Sequence, residues 1–365
     1  MIDYGKLAGQ KICNLVPYKP GKPVKELERE LGISNSVKLA SNENPLGCSP
    51  KALQAINDFL PEISRYPFGD AYYLREVVAK HYDVSGEKLL FGTGSNEIIE
   101  LAIRTFLSDD EHVLSPAPSF SVYGIIAQAA GKSCKWVPVQ KNFKFDFDAL
   151  AGAIEDKTRM VFLSNPNNPT GEYFTQAELE NFMAKVPEDV IVIMDEAYVE
   201  YIDAEDFADS LPLLKKYKNI FIMRTFSKAY GLASARVGYV IACEEAIDMI
   251  NRVRQPFNTN MFAQVAAKAA MEDQEHLSTV IKMNKDGKEY LYSEFEKLGL
   301  EYVPTQANFI LVKVGNGEKV FNDLLKEGVI VRYLGPGLAE WIRVSVGITK
   351  ENETFIEKLK VVLNK

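Results

Sequence analysis

Lys228 stands where a reactive amine would be useful. In Asn219–Tyr239 the apolar run Ile220–Met223 gives way to Thr225-Phe226-Ser227-Lys228, and Arg236 follows eight residues on. A continuous apolar run bounded by polar residues predicts a buried strand, which puts Lys228 just past its carboxyl end. In open α/β sheets, ligands bind along that edge. A lone lysine is usually a solvated charge, but this one has company. Asn96, Phe120, Asn168, Asp195 and Tyr198 also follow strand-like runs. One such coincidence means little; the whole set predicts a single site.

The elements that must position these residues are legible as an alternation. Leu89–Gly92, His112–Ser115, Trp136–Val139, Met160–Leu163, Val190–Met194 and Val237–Cys243 read as further strands. Pro50–Leu60, Ala71–Tyr82, Glu97–Leu107, Tyr123–Ala130, Asp146–Ile154 and Gln176–Ala184 read as helices. Solid apolar strands alternating with helices predict an α/β fold with a mostly parallel sheet covered on both faces. That large domain is expected over residues 36–254. Beyond Asn251–Gln255 the pattern changes. Met261–Leu298 is mainly helical, Phe309–Val314, Val329–Arg332 and Ile342–Val346 are strands, and Glu351–Leu363 is a final helix. This predicts a small α+β domain over residues 255–365, with residues 1–35 attached to it as an N-terminal arm. Prolines make Val16–Gly32 extended at its start; the spacing of Val24, Leu27 and Leu31 then turns helical, with Gly32 as cap.

Composition excludes several classes. A net charge of −8 argues against a nucleic-acid surface, which needs clustered Lys and Arg. Cys13, Cys48, Cys134 and Cys243 form no CxxC pair, which predicts reduced thiols in a cytoplasmic protein. His81, His112 and His276 lack metal-ligand spacing, so no metal is expected and a Ser-His-Asp hydrolase is disfavoured. The first residues lack the apolar segment of a signal peptide. No apolar stretch approaches the roughly 20 residues of a membrane span.

The set of polar residues matches the demands of pyridoxal 5′-phosphate. That cofactor needs a lysine for its aldehyde and a carboxylate to keep its pyridine nitrogen protonated; Lys228 and Asp195 supply them. Its phenolic oxygen wants hydrogen-bond donors, which Asn168 and Tyr198 offer. Its phosphate wants a helix N-terminus and an arginine. Thr93-Gly94-Ser95-Asn96 runs from a strand into a helix, and Arg236 is the arginine. Phe120 is the aromatic that stacks on the ring. Taken singly, each has a plainer role: a strand-end carboxylate, a turn amide, a core aromatic, a surface charge.

NPNNPTG at Asn165–Gly171, DEAY at Asp195–Tyr198 and SKAYGLASAR at Ser227–Arg236 resemble the fold-type I aminotransferases. PYKPGKP at Pro17–Pro23, KLASNENPLG at Lys38–Gly47 and RYP at Arg65–Pro67 narrow the resemblance to the histidinol-phosphate aminotransferase family. The resemblance implies that Lys228 forms the Schiff base, Asp195 pairs with the pyridine nitrogen, and Asn168 and Tyr198 bind the phenolic oxygen. Gly94, Ser95, Asn96, Thr225, Ser227 and Arg236 then surround the phosphate. Tyr66 is implied to reach the phosphate from a second subunit, hence a homodimer. Phe120 stands where the family often has tyrosine, so a hydroxyl contact is lost. Substrate contacts fall to Tyr18, Asn44, Arg332 and Arg343. Two arginine forks suit a dianion, and Arg343, between apolar residues, is the stronger candidate. The implied activity is amino transfer between L-histidinol phosphate and 2-oxoglutarate, giving imidazole-acetol phosphate and glutamate. An aminotransferase for aromatic amino acids or prephenate remains the alternative. A phosphate-recognising decarboxylase and a cofactor-binding regulator are more distant ones.

Overall fold

The protein is described by a computed structural model covering residues 2–18 and 21–364; Lys19 and Pro20 of the PYKPGKP stretch lie outside the described residues. A short strand, β1 (Val37–Lys38), precedes the seven strands of the main sheet. These are β2 (Leu89–Gly92), β3 (His112–Ala117), β4 (Ser133–Pro138), β5 (Thr158–Ser164), β6 (Ile191–Asp195), β7 (Ile220–Thr225) and β8 (Gly238–Ile241). Their spatial order is β2-β8-β7-β6-β5-β3-β4. The pairs β4-β3, β3-β5, β5-β6 and β6-β7 are parallel. β8 alone runs against both of its neighbours.

That reversal has a local cause. A parallel return needs a crossover of a dozen or more residues, usually helical. The chain from Phe226 to Val237 contains no helix, and Phe226 N–H donates to Val237 O at 3.1 Å. The segment folds back as a loop at the sheet edge, and Lys228 sits on it. β2, β6, β7 and β8 are buried at every residue, consistent with helices covering both faces.

The second sheet holds β9 (Tyr302–Val303), β10 (Phe309–Lys313), β12 (Arg332–Tyr333) and β13 (Trp341–Ser345), in the order β12-β13-β10-β9. The apolar run Val329–Arg332 does not act as one strand. Its first part, β11 (Val329–Ile330), pairs in parallel with β1. β12 then pairs antiparallel with β13, which sets Arg332 opposite Arg343. A core of Leu291, Phe295, Ile310, Ile342, Val344 and Phe355 packs around this sheet.

Two features of the packing go beyond the expected pattern. The helix Met261–Met271 and the start of the helix Gln274–Lys297 share a core with the main sheet, through Ala266, Met271, Leu277, Val280, Phe226 and Tyr239. The change of core therefore falls inside the long helix. Sequence periodicity marks a helix but not the face on which a neighbour sits. The arm carries two short helices, Tyr4–Ala8 and Gln10–Cys13, ahead of its extended part. Neither buries a residue, so neither leaves the apolar spacing that would reveal it. Gln128 Nε2 donates to Lys11 O at 2.8 Å and holds this end of the arm to the main domain. The helix Gly317–Lys326 also lies outside the expected elements.

Candidate active site

The carboxyl ends of β2, β3, β5, β6 and β7 bring the expected residues to one edge of the main sheet. Asp195 closes β6 and is only 4% exposed. Tyr123, on the helix Val122–Ala129, donates its hydroxyl to Asp195 Oδ2 at 2.6 Å. Asp195 Oδ1 is buried without a hydrogen-bond partner among the described residues. Burial pushes the Asp195 carboxyl up to about 6, with the Tyr123 hydroxyl the largest opposing influence. A buried, unpaired acceptor is costly. It suits a cationic N–H donor such as a pyridinium.

Lys228 is half-buried, and its Nζ donates to Ser41 O at 3.1 Å. Its ammonium lies 5.7 Å from the centre of the Tyr198 ring. Burial and then the nearby Arg343 lower the Lys228 pKa to about 8, against the attraction of Glu43. About a tenth of this amine is then neutral at pH 7, far more than for a solvated lysine.

Tyr198 is 3% exposed, and its hydroxyl accepts from Asn168 Nδ2 at 3.2 Å and from Asn42 Nδ2 at 3.0 Å. Burial pushes its phenol up to about 12, so it keeps its proton at neutral pH. Asn168 Oδ1 in turn accepts from Arg343 Nη1 at 2.6 Å. Phe120 is half-buried on the cleft wall, edge-on to Tyr123 at 5.5 Å.

A second group of donors gathers where β2 enters the helix Ser95–Phe106. Thr225 Oγ1 and Ser227 Oγ are 3.0 Å apart, and Arg236 Nη1 lies 3.4 Å from Ser227 Oγ. Gly94 has φ +73°, and a methyl on it would strike the Arg236 guanidinium. Only glycine meets both conditions at low cost. Hydroxyls and a guanidinium beside the first turn of a helix make an anion cradle, and the Glu97 carboxylate in that turn is engaged by the Thr93 N–H and the Asn258 amide. Ser95 is half-buried in the first turn of the helix, and Asn96 faces outward from it.

Beyond Asn168 and Phe120 a cleft of about 1120 Å³ opens, lined also by Tyr18, Arg332 and Arg343. Arg343 is 7% exposed; its Nη2 donates to Ala40 O at 2.8 Å, while its Nε is buried without a partner among the described residues. Burial, with Arg332 adding to it, lowers the Arg343 pKa. Arg332 stacks over the Tyr18 ring at 5.5 Å. Tyr66 lies apart from the cleft, 82% exposed and stacked on Phe257 at 4.8 Å.

Asn44 makes two hydrogen bonds to backbone. Its Nδ2 donates to Ala229 O at 2.9 Å and its Oδ1 accepts the Leu46 N–H at 3.0 Å. These bonds tie its loop to the one that carries Lys228. Sequence reasoning missed Tyr123 and Asn42. Nothing in the sequence marks Tyr123 apart from neighbouring aromatics. Asn42 lay in plain view within the polar SNENP stretch.

The residues present fit pyridoxal 5′-phosphate: an orphaned acceptor for the ring nitrogen, an anion cradle for the phosphate, and an amine with a lowered pKa. Residues 34–359 match the family described as aminotransferase class I and II, and the chain belongs to that family. A histidinol-phosphate aminotransferase of Moorella thermoacetica is 46% identical over 358 residues, covering 97% of this chain and 92% of the relative. One from Akkermansia muciniphila is 46% identical over 359 residues and covers 98% of each chain. At that identity over nearly the full length, the chain is a member of the histidinol-phosphate aminotransferase family. The crystal structure of the Clostridium acetobutylicum histidinol-phosphate aminotransferase superposes with a TM-score of 0.83 at 27% identity, covering 90% of this chain and 99% of that one. The Sinorhizobium meliloti enzyme in complex with pyridoxal-5′-phosphate shares the fold, with a TM-score of 0.88 at 24% identity over 97% of this chain and 96% of that one.

Proposed function

We propose that the protein transfers the amino group of L-histidinol phosphate to 2-oxoglutarate in histidine biosynthesis, with pyridoxal 5′-phosphate as cofactor. The main support is a pair of arginines facing each other across β12 and β13, lining the cleft beside Asn168, in a chain 46% identical to histidinol-phosphate aminotransferases. Two guanidiniums suit the dianionic phosphate of one substrate and a carboxylate of the other. Tyr18 closes the cleft over them.

When bound, the cofactor supplies an aldehyde that takes up the amine and a ring that withdraws electrons from the adjacent carbon. The chain's own groups do the rest. Lys228 would hold the cofactor through its aldehyde, and its Nζ would serve as the base for the proton on the amine-bearing carbon of the substrate. Asp195 Oδ1 holds the proton on the ring nitrogen. Asn168 and Tyr198 hold the ring oxygen, and Phe120 covers a ring face. Gly94, Ser95, Asn96, Thr225, Ser227 and Arg236 hold the phosphate.

Tyr66 completes the phosphate site of a second subunit, and the protein works as a homodimer; the exposure of Tyr66, Phe68, Tyr72 and Tyr73 supports this. Four unpaired cysteines favour the reducing cytoplasm, and no helix among the described residues is long and apolar enough to cross a membrane. The test is a half-reaction assay read by cofactor absorbance. Histidinol phosphate should react far faster than phenylalanine; the reverse order would reassign the substrate.

A further inference from the structure

Tyr198 receives two amide hydrogens, one from Asn168 and one from Asn42. Arg343 can only donate. Its 2.6 Å bond to Asn168 Oδ1 therefore turns Asn168 Nδ2 toward Tyr198. On the other side the partner is Ser345. The backbone N–H of Asn42 donates to Ser345 Oγ at 2.9 Å. Ser345 Oγ in turn donates to Asn42 Oδ1 at 3.0 Å, which leaves Asn42 Nδ2 facing Tyr198. With two N–H groups on its oxygen, Tyr198 has only its own hydrogen left to give.

Asn42 is built into this position. It is 1% exposed and has φ +54°, a left-handed conformation that asparagine tolerates better than most residues. Its carbonyl accepts from Asn308 Nδ2 at 3.1 Å. Backbone N–H, carbonyl and both ends of the side-chain amide are all engaged. The adjacent Ser41 carbonyl holds Lys228 Nζ, and the Ala40 carbonyl holds Arg343 Nη2. Three successive residues thus each grip one member of the site.

We propose that Asn42 is a positioning residue: its amide fixes Tyr198 as the hydrogen-bond donor to the ring oxygen of the bound cofactor. The proposal rests on the placement of Tyr198 at that oxygen. A donated hydrogen bond favours the deprotonated ring oxygen, so its loss makes the bound cofactor hold its proton to higher pH.

The experiment measures, in the holoenzyme without substrate, the pH midpoint of the cofactor's visible absorbance change. Tyr198→Phe should raise the midpoint by about one pH unit, the scale of one charge-assisted hydrogen bond. Asn42→Asp puts an acceptor beside Tyr198, draws its hydrogen away from the cofactor, and should give a similar rise. The double variant should show no further rise. Asn42→Gly, at ease at φ +54°, should keep the fold and shift the midpoint upward by less, because Asn168 still holds the hydroxyl. A shift with Tyr198→Phe but none with Asn42→Asp or Asn42→Gly would overturn the role of Asn42 alone. No shift with Tyr198→Phe would overturn the placement of Tyr198, and the proposal with it.

Discussion

Tyr123 donates its hydroxyl to Asp195 Oδ2 at 2.6 Å and leaves Oδ1 as the free face of the carboxylate. Tyr123 is fully buried and stacked on Phe162 at 4.5 Å, with the ring planes 7° apart. The carboxylate is thereby held by a rigid partner rather than by solvent. Tyr123→Phe keeps the stack and removes the hydrogen bond. It should push the Asp195 carboxyl further up and lower kcat about tenfold, near 1.4 kcal/mol. Stopped-flow single turnovers check this; an unchanged rate would mean that the bond serves the fold only.

Asp195 should trade stability for function. Its pKa in the folded chain is raised to about 6 from 3.8. The folded state of the apoprotein therefore binds more protons than the unfolded one between those values. Stability from this group is present below pH 4 and is lost as pH rises through 6, by up to about 3 kcal/mol. Asp195→Asn removes the charge. The apoprotein of that variant should be more stable than the parent at pH 8 and no more stable at pH 4, while turnover falls by about a thousandfold or more. Denaturant melts at both pH values, with cofactor removed, decide the point.

Lys228 should react with aldehydes at unusually low pH. Burial and Arg343 hold its pKa near 8, and only the neutral amine is nucleophilic. Cofactor uptake by the apoprotein should speed up with pH and level off near pH 8, two units or more below a free lysine. Lys228→Ala should lose both turnover and the covalent cofactor band. Arg343→Gln, by relieving repulsion, should move the plateau upward.

The two arginines should differ in weight. Arg343 is buried and Arg332 is partly exposed, so water competes less for the first. Arg343→Gln should raise KM for histidinol phosphate about a hundredfold, and Arg332→Gln about tenfold. An unphosphorylated analogue should show a smaller rise for each. Equal effects on both compounds would remove the phosphate assignment.

Gly94→Ala should weaken cofactor retention. The methyl would displace Arg236 and sit at φ +73°, at a cost of about 1–3 kcal/mol in the local backbone. The cofactor dissociation constant, measured by equilibrium dialysis, should rise about tenfold or more. Thermal stability of the apoprotein should fall modestly.

The sequence by itself determined the alternation of strands and helices, because apolar runs and helical spacing are local patterns. It also placed Lys228, Asp195, Asn168 and Tyr198 at strand ends, since a polar residue after a buried run marks the sheet's edge. Tertiary structure alone decided what those residues touch. The reversal of β8, the division of Val329–Arg332 between two sheets and the meeting of Arg332 with Arg343 all depend on which strands pair. Tyr123 reaches Asp195 across 72 positions of chain, and Asn42 reaches Ser345 across 303. Hydrogen bonds between residues so distant in sequence leave no periodicity to read. They arise only when packing has fixed both ends.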